Sequence, residues 1–125
     1  MAQLPTVVSE AWKKRQGPIV LTTVDASGTP NAIYATCVSK YDESTLVVAD
    51  NFFNKTRANI QAGSQGSLLF ITDEGKSFQV KGRFEYLTSG AVFDDMKTWL
   101  NPKLPGHAAA ALVIESVYSG GEQLL

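Results

Sequence analysis

Residues 78–86 read Phe-Gln-Val-Lys-Gly-Arg-Phe-Glu-Tyr, and this stretch decides the class of fold. Apolar or small residues alternate with polar ones along its whole length. A period of two is typical of a strand with one buried face and one wet face. Such strands belong to antiparallel sheets rather than to parallel sheets that are buried on both sides. The sequence on either side should therefore supply antiparallel partner strands.

Five further short runs are predicted as strands, and they are rich in β-branched and aromatic residues. They cover residues 19–24, 31–40, 45–50, 67–72 and 108–118. Turn-forming residues separate the first three runs, which favours antiparallel pairing between neighbours along the chain.

Three short helices are predicted over residues 5–15, 54–61 and 90–100, where apolar residues recur at helical spacing. Asn51 or Asn54 is expected to cap the second helix, and Gly63 is expected to end it. The helices interrupt hairpins instead of alternating with every strand, which argues against a doubly wound fold. The prediction is a mainly β protein, a six-stranded antiparallel Greek-key split β-barrel with three short helices, forming a single domain over 1–125.

Composition narrows the classes of function. The chain has 125 residues and a net charge of −1, so no overall basic field points to nucleic acid. Its single cysteine, Cys37, and single histidine, His107, are too few for a usual zinc site. No apolar run approaches the roughly 20 residues of a membrane span, and the first residues do not resemble a signal peptide. We therefore expect no nucleic-acid partner, no membrane association and a cytoplasmic location.

The segment from Asp50 to Asn59 is the most informative for function, because a predicted strand ends there and a helix begins at about Lys55 and Thr56. Free backbone N–H groups at a helix start attract anions. Lys55 adds a full positive charge and Thr56 adds a hydroxyl donor. The segment is compatible with a terminal phosphate site, and equally with a helix whose basic first turn is solvated. Aromatic residues that could wall a flat ligand occur at Tyr34, Phe52, Phe53 and Trp99, although each also suits a core.

Other nucleotide and hydrolase motifs are missing from the sequence. It contains no G-x-x-x-x-G-K-[ST] phosphate loop, no G-x-G-x-x-G after a strand and no G-x-S-x-G elbow.

Seven stretches in order along the chain resemble the FMN-binding split-barrel superfamily of pyridoxamine 5'-phosphate oxidase-like proteins. The stretches are 17–24, 28–31, 46–49, 54–60, 80–82, 110–114 and 119–125, and Lys55-Thr56 followed by Asn59 is the most specific feature. The nearest likeness is to small bacterial FMN-binding proteins. The resemblance implies a homodimer with one FMN bound non-covalently in a groove at the subunit interface.

The resemblance also implies which residues bind the cofactor. Lys55 and Thr56 would hold the phosphate, and the flavin would be lined by Ile33, Tyr34, Ala35, Thr36, Asp50 and Asn51. The partner subunit would contribute residues matching Trp99, His107 and the C-terminal tail, including Leu124 and Leu125. No side chain is assigned a catalytic role.

Two departures from the family pattern bear on function. The arginine-rich C-terminal segment of the true oxidases is missing, which argues against vitamin B6 oxidation, and His107 stands where an aromatic residue is common. The prediction is a flavoprotein with an electron-transfer or oxidoreductase role and a redox partner or small-molecule donor or acceptor. The alternatives are a module that stores or senses flavin or a related ligand such as haem, and an NAD(P)H-dependent flavin reductase.

Overall fold

The computed structural model describes residues 2–125 and contains three helices and eight strands, so Met1 of the predicted domain lies outside the described part. The helices are α1 (Thr6–Lys13), α2 (Lys55–Gln61) and α3 (Ala91–Trp99). The strands are β1 (Ile19–Val24), β2 (Pro30–Ala35), β3 (Val38–Asp42), β4 (Thr45–Asp50), β5 (Gln65–Ile71), β6 (Ser77–Leu87), β7 (Ala108–Ser119) and β8 (Glu122–Gln123).

All strands belong to one antiparallel sheet with the order β2-β1-β5-β6-β7-β4-β3, and β8 is added beside β7. Strands β5, β6 and β7 are consecutive neighbours, while β4 lies beside β7, which is a Greek-key arrangement. The two edge strands, β2 and β3, are consecutive in the chain. The sheet therefore curls into a split barrel, as the sequence predicts.

The predicted number of six strands is wrong, because the run 31–40 forms two strands and the tail forms another. Strand β2 pairs with β1, whereas β3 pairs with β4 at the opposite edge of the sheet. The chain must therefore bend between these strands, and it does so at Thr36 and Cys37. The Ala49 N–H donates to the Cys37 carbonyl at 2.9 Å and fixes the bend to β4. The run contains no internal glycine or proline that would have revealed the bend.

The ends of α2 agree only partly with the prediction. Asn54 occupies the N-cap position but its side chain makes no capping hydrogen bond. The Asn51 side chain is used elsewhere, because its Oδ1 accepts the Gly106 N–H at 3.0 Å. Gly63 follows the helix with a φ of 88°, a conformation that suits glycine.

The main core fills the inside of the barrel. Alternate residues of β6 (Phe78, Val80, Gly82 and Phe84) are buried as the sequence pattern predicts. A second cluster lies on the outside of β4 and β7, where Met96 and Leu100 of the α3 region pack on small residues such as Ala109. Within residues 2–125, no helix has both the length and the apolar character that a bilayer span requires.

The C-terminal tail folds back onto its own barrel after Gly120. Leu124 donates its N–H to the Val117 carbonyl at 2.8 Å, and Val117 donates to the Leu125 carbonyl at 3.1 Å. Both leucine side chains pack against the main core. The glycine pair thus reverses the chain, and the tail pairs with β7 and packs on the core.

Gly66 of β5 is expected to resist substitution by alanine. A Cβ at this position would collide with the backbone oxygen of Thr22 and would lie 2.7 Å from Cε2 of Phe84. Because neighbouring backbone cannot yield easily, Gly66→Ala should lower the free energy of unfolding by about 1–3 kcal/mol. Urea denaturation measures the change. Gly121→Ala, where a Cβ would meet nothing within 4 Å, is the matched control and should leave stability nearly unchanged.

Candidate functional site

A groove lies where the end of β2 and the bend after it face the loop that follows β4. Its volume is ≈ 300 Å³. The residues that line it are Ile33, Tyr34, Ala35, Thr36, Cys37, Ala49, Asn51, Phe52 and Phe53. Because Ile33, Phe52 and Phe53 contribute large apolar surfaces, the walls suit a flat apolar ligand.

A second depression adjoins the groove at the start of α2. This part has a volume of ≈ 280 Å³ and shares Ile33, Phe52 and Phe53 with the groove. Its remaining lining residues are Asn31, Asn54, Lys55 and Thr56. The structure thus brings together Ile33 to Thr36, Asn51, Lys55 and Thr56, which are seven of the residues predicted for the cofactor.

Thr56 is held in place by a polar network that links β1, β2 and α2. Its side chain is buried, with 1% exposed, and its Oγ1 accepts a hydrogen bond from Asn31 Nδ2 at 3.0 Å. Asn31 Nδ2 also donates to Thr23 Oγ1 at 3.4 Å, and the same oxygen accepts from Asn59 Nδ2 at 3.0 Å. Since Asn31 uses only an acceptor position of the Thr56 hydroxyl, the hydroxyl proton is free to be donated. Thr56 can therefore offer a fixed donor to an anion in the depression.

Lys55 supplies the charge at this end of the site. It is exposed and is the only charged residue that lines the depression. The first turn of α2 carries no acidic side chain and no side-chain cap. Backbone N–H groups in the first turn of a helix lack intrahelical acceptors. The ammonium group, the Thr56 hydroxyl and these N–H groups together favour an anion.

Asp50 lies behind the groove rather than in its lining, although the family resemblance places it beside the flavin. Its side chain is fully buried, and its carboxylate accepts four hydrogen bonds. Arg57 donates from Nε at 2.7 Å and from Nη2 at 3.0 Å, Tyr86 donates from its hydroxyl at 2.6 Å, and the Phe53 N–H donates at 3.1 Å. With its acceptor positions filled, Asp50 fixes neighbouring residues instead of meeting a ligand.

The pKa values around Asp50 follow from these contacts. Burial alone would raise the pKa of Asp50, but the hydrogen bonds from Arg57, Tyr86 and the Phe53 N–H lower it below its ordinary value. The pKa of Arg57 is raised by its hydrogen bond to Asp50. Burial and the adjacent carboxylate raise the pKa of Tyr86. The cluster is therefore an ion pair with a neutral phenol at neutral pH.

Three residues that the resemblance assigns to the partner subunit lie outside the groove. Trp99 borders a neighbouring cavity of ≈ 320 Å³ that shares Thr36 and Cys37 with the groove, and its buried Nε1 has no hydrogen-bond partner among the described residues. His107 is exposed on the loop before β7. Its backbone N–H donates a hydrogen bond to the Asp50 carbonyl at 2.8 Å. Leu125 packs against the main core.

Phe52 and Phe53 form one wall of the site, as the sequence suggests for a flat ligand, although the family resemblance does not assign them to the cofactor. The sequence signal for this wall is an aromatic pair in a short segment between a strand and a helix, where polar residues are usual. Phe52 is 81% exposed and Tyr34 is 78% exposed, so both stand at the mouth of the groove. Two large aromatic residues left open to water beside a cavity mark a surface that can be covered.

The lining residues restrict the chemistry that the site can perform by itself. Among the residues that line the groove and the depression, none is an aspartate, a glutamate or a histidine. Within residues 2–125, no group of three or more His, Cys, Asp or Glu side chains is arranged to hold a metal ion. The arrangement is suited to binding a ligand that has an anionic end and a flat apolar end.

A protein-family model matches almost the whole chain. The family model described as pyridoxamine 5'-phosphate oxidase matches residues 8–120. An uncharacterized protein of Methanocaldococcus jannaschii is 28% identical over 119 residues, which cover 90% of this chain and 80% of that protein.

Solved structures share the fold at low sequence identity. HupZ of Group A Streptococcus superposes with a TM-score of 0.79 at 22% identity and covers 93% of both chains. An FMN-binding protein of Syntrophomonas wolfei superposes with a TM-score of 0.73 at 18% identity, covering 96% of this chain and 85% of that one. At these identities the likeness establishes the split-barrel fold.

Proposed function

Because the chain belongs to the pyridoxamine 5'-phosphate oxidase family, we propose that it binds FMN non-covalently and has an electron-transfer or oxidoreductase role. One observation carries the proposal most strongly. The depression at Lys55 and Thr56 adjoins the groove, because Ile33, Phe52 and Phe53 line both. FMN has the matching chemistry, since it joins a phosphate to a large flat ring system.

The size of the site supports this assignment. Small-molecule pockets usually have volumes of about 300–1,000 Å³. The groove measures ≈ 300 Å³, and the depression that shares three of its lining residues adds ≈ 280 Å³ beside it. The groove is open on one side, which suits a cofactor whose edge meets a redox partner.

Each part of the site has a distinct role in the proposal. Lys55, the Thr56 hydroxyl and the first-turn N–H groups of α2 bind the phosphate. Residues 33 to 36 and Asn51 border the ring, and Phe52 and Phe53 keep water from it. When bound, FMN supplies the redox chemistry, while the protein sets its position, its access and its electrostatic surroundings.

We further propose that the working form is a homodimer with the groove at the interface. The exposed Tyr34 and Phe52 would be covered by a second copy, which also encloses the open side of the groove. Trp99, His107 and the tail around Leu125 remain candidates for contacts from the partner subunit. The Syntrophomonas wolfei protein that shares the fold is an FMN-binding protein, which supports the choice of cofactor.

The absorbance spectrum of the purified protein tests the cofactor. We expect a yellow protein with flavin bands, or stoichiometric uptake when the apoprotein is titrated with FMN. Reduction by dithionite or NAD(P)H, followed by reoxidation with an added acceptor, separates an electron carrier from a flavin store. If neither the isolated protein nor the titrated apoprotein contains FMN, the proposal fails. Sedimentation of the loaded protein at the mass of a monomer would contradict the homodimer alone.

A further inference from the structure

We propose that Asp50, held by Arg57 and Tyr86, is a positioning residue that fixes the phosphate-binding turn without contacting the cofactor. This inference rests on the proposed function and deepens it, because it assigns roles to Arg57 and Tyr86. We call these three residues the Asp50 clamp.

The geometry of the Asp50 clamp supports a positioning role. Its carboxylate binds the Phe53 N–H at 3.1 Å on one side of Lys55 and the Arg57 side chain at 2.7 Å and 3.0 Å on the other. Lys55 and Thr56 therefore lie between two points that are tied to one buried group. The Tyr86 hydroxyl, at 2.6 Å, anchors the same carboxylate to β6 in the middle of the sheet.

The clamp also determines which cation faces the phosphate. Arg57 lies only two residues from Lys55 and carries the same charge, yet both of its bonding nitrogens are directed to Asp50. Bidentate pairing of this kind fixes the orientation of the guanidinium. Lys55 is thus left as the charged residue that lines the depression. In this arrangement Arg57 contributes to the shape of the site and not to its positive charge.

The same residue connects the turn to the loop before β7. The Asp50 carbonyl accepts the His107 N–H at 2.8 Å, and the neighbouring Asn51 Oδ1 accepts the Gly106 N–H at 3.0 Å. Asp50 and Asn51 therefore join α2, β6 and the 101–107 loop at one place.

Three variants test the Asp50 clamp by titration with FMN and with riboflavin, which lacks the phosphate. Asp50→Asn should weaken FMN binding about tenfold, since a charge-assisted hydrogen bond is lost. It should weaken riboflavin binding by a smaller factor. Tyr86→Phe should weaken FMN binding about threefold, since one hydroxyl hydrogen bond is removed. The double variant of Asp50→Asn with Arg57→Gln should bind FMN no more weakly than Asp50→Asn alone, because coupled residues act as one unit.

Two further measurements separate positioning from general stability. The circular dichroism of bound FMN in the visible range should change in Asp50→Asn, because it reports the orientation of the ring. In the ligand-free protein, the Phe53 amide should exchange its hydrogen faster in Asp50→Asn, while amides of β6 should be unaffected. Tyr118→Phe on β7 is the control, because its ring contacts Lys81 away from the groove.

The outcomes distinguish the two proposals. If wild-type protein fails to bind FMN, the proposed function fails, and the amide exchange of Phe53 still tests the clamp. If wild-type protein binds FMN and Asp50→Asn binds it equally well or more tightly, the clamp is refuted, because the released Arg57 then serves the phosphate. If Asp50→Asn does not fold, Tyr86→Phe tests the clamp instead. A threefold loss of FMN affinity in Tyr86→Phe, with no loss in Tyr118→Phe, supports the clamp, and an unchanged affinity in Tyr86→Phe refutes it.

Discussion

Replacing Lys55 with alanine is expected to weaken FMN binding by about tenfold to a hundredfold, since a charge-assisted contact contributes roughly 1.5–3 kcal/mol. Lys55 is exposed in the ligand-free protein and is the only charged residue that lines the depression. No other cation lining the depression can therefore replace it. Binding of riboflavin should change little, because the groove beside Phe52 and Phe53 is left intact.

Equilibrium titrations of both ligands with the wild-type and variant proteins measure this effect. Lys13→Ala is the matched control, because Lys13 is exposed on α1 and makes only a surface ion pair with Glu10 at 3.3 Å. It should bind FMN as the wild type does. Equal losses for FMN and riboflavin in Lys55→Ala would show that the variant disturbs the groove, and an unchanged FMN affinity would place the phosphate elsewhere.

Asp50→Asn is expected to lower the free energy of unfolding by about 1.5–3 kcal/mol at pH 7, the usual value of a hydrogen bond to a charged group. Arg57 is partly exposed and can turn to water when the charge is lost. Tyr86 and the Phe53 N–H keep a polar partner in the amide, but their hydrogen bonds to this neutral group are weaker than those to the carboxylate. The effect should therefore remain below the sum of the four hydrogen bonds.

The same substitution should reveal how stability depends on pH. The pKa of Asp50 is lower in the folded protein than its ordinary value, because Arg57, Tyr86 and the Phe53 N–H outweigh its burial. An aspartate with a lowered pKa stabilises the fold fully above its unfolded pKa of about 3.9, and this contribution disappears as the pH falls through the folded value. The difference between wild type and Asp50→Asn should thus be largest near neutral pH and should shrink in acid.

Urea unfolding of both proteins at a series of pH values between about 7 and 3 provides the measurement. Asp25→Asn is a comparison, because Asp25 also has a lowered pKa, caused first by the Thr29 N–H, but it lies in an exposed turn. Solvent screening should make its effect the smaller of the two. A difference for Asp50→Asn that stays constant throughout this acid range would mean that its charge does not stabilise the fold.

Much of the fold could be predicted because its strands carry a regular local pattern. The alternation over residues 78–86 identifies β6, and the predicted strand at 45–50 coincides with β4. The bend at Thr36 and Cys37 could not be predicted. The bend results from the pairing of β2 and β3 at opposite edges of the sheet. Because this pairing is a property of the whole barrel, no local sequence pattern predicts it.

The sequence predicts one part of the candidate site and not another. Lys55 and Thr56 lie at the start of a helix, and the sequence pattern and the family resemblance together predict this position. The Asp50 clamp could not be predicted from the sequence, because Asp50 and Tyr86 are 36 residues apart. They meet only because β4 pairs with β7 and β7 pairs with β6. Long-range hydrogen bonds of this kind depend on sheet register, which a single sequence does not reveal.

The split of the barrel bears on how the proposed FMN would reach its site. Within residues 2–125, β2 and β3 end the sheet on opposite sides and are joined by the chain at Thr36 and Cys37 and not by a ladder of hydrogen bonds. The groove adjoins this seam, since Thr36 and Cys37 are among its lining residues. No strand pairing would therefore have to break for the proposed FMN to reach the groove. A fully closed barrel would have to break the pairing of two strands to admit the same ring.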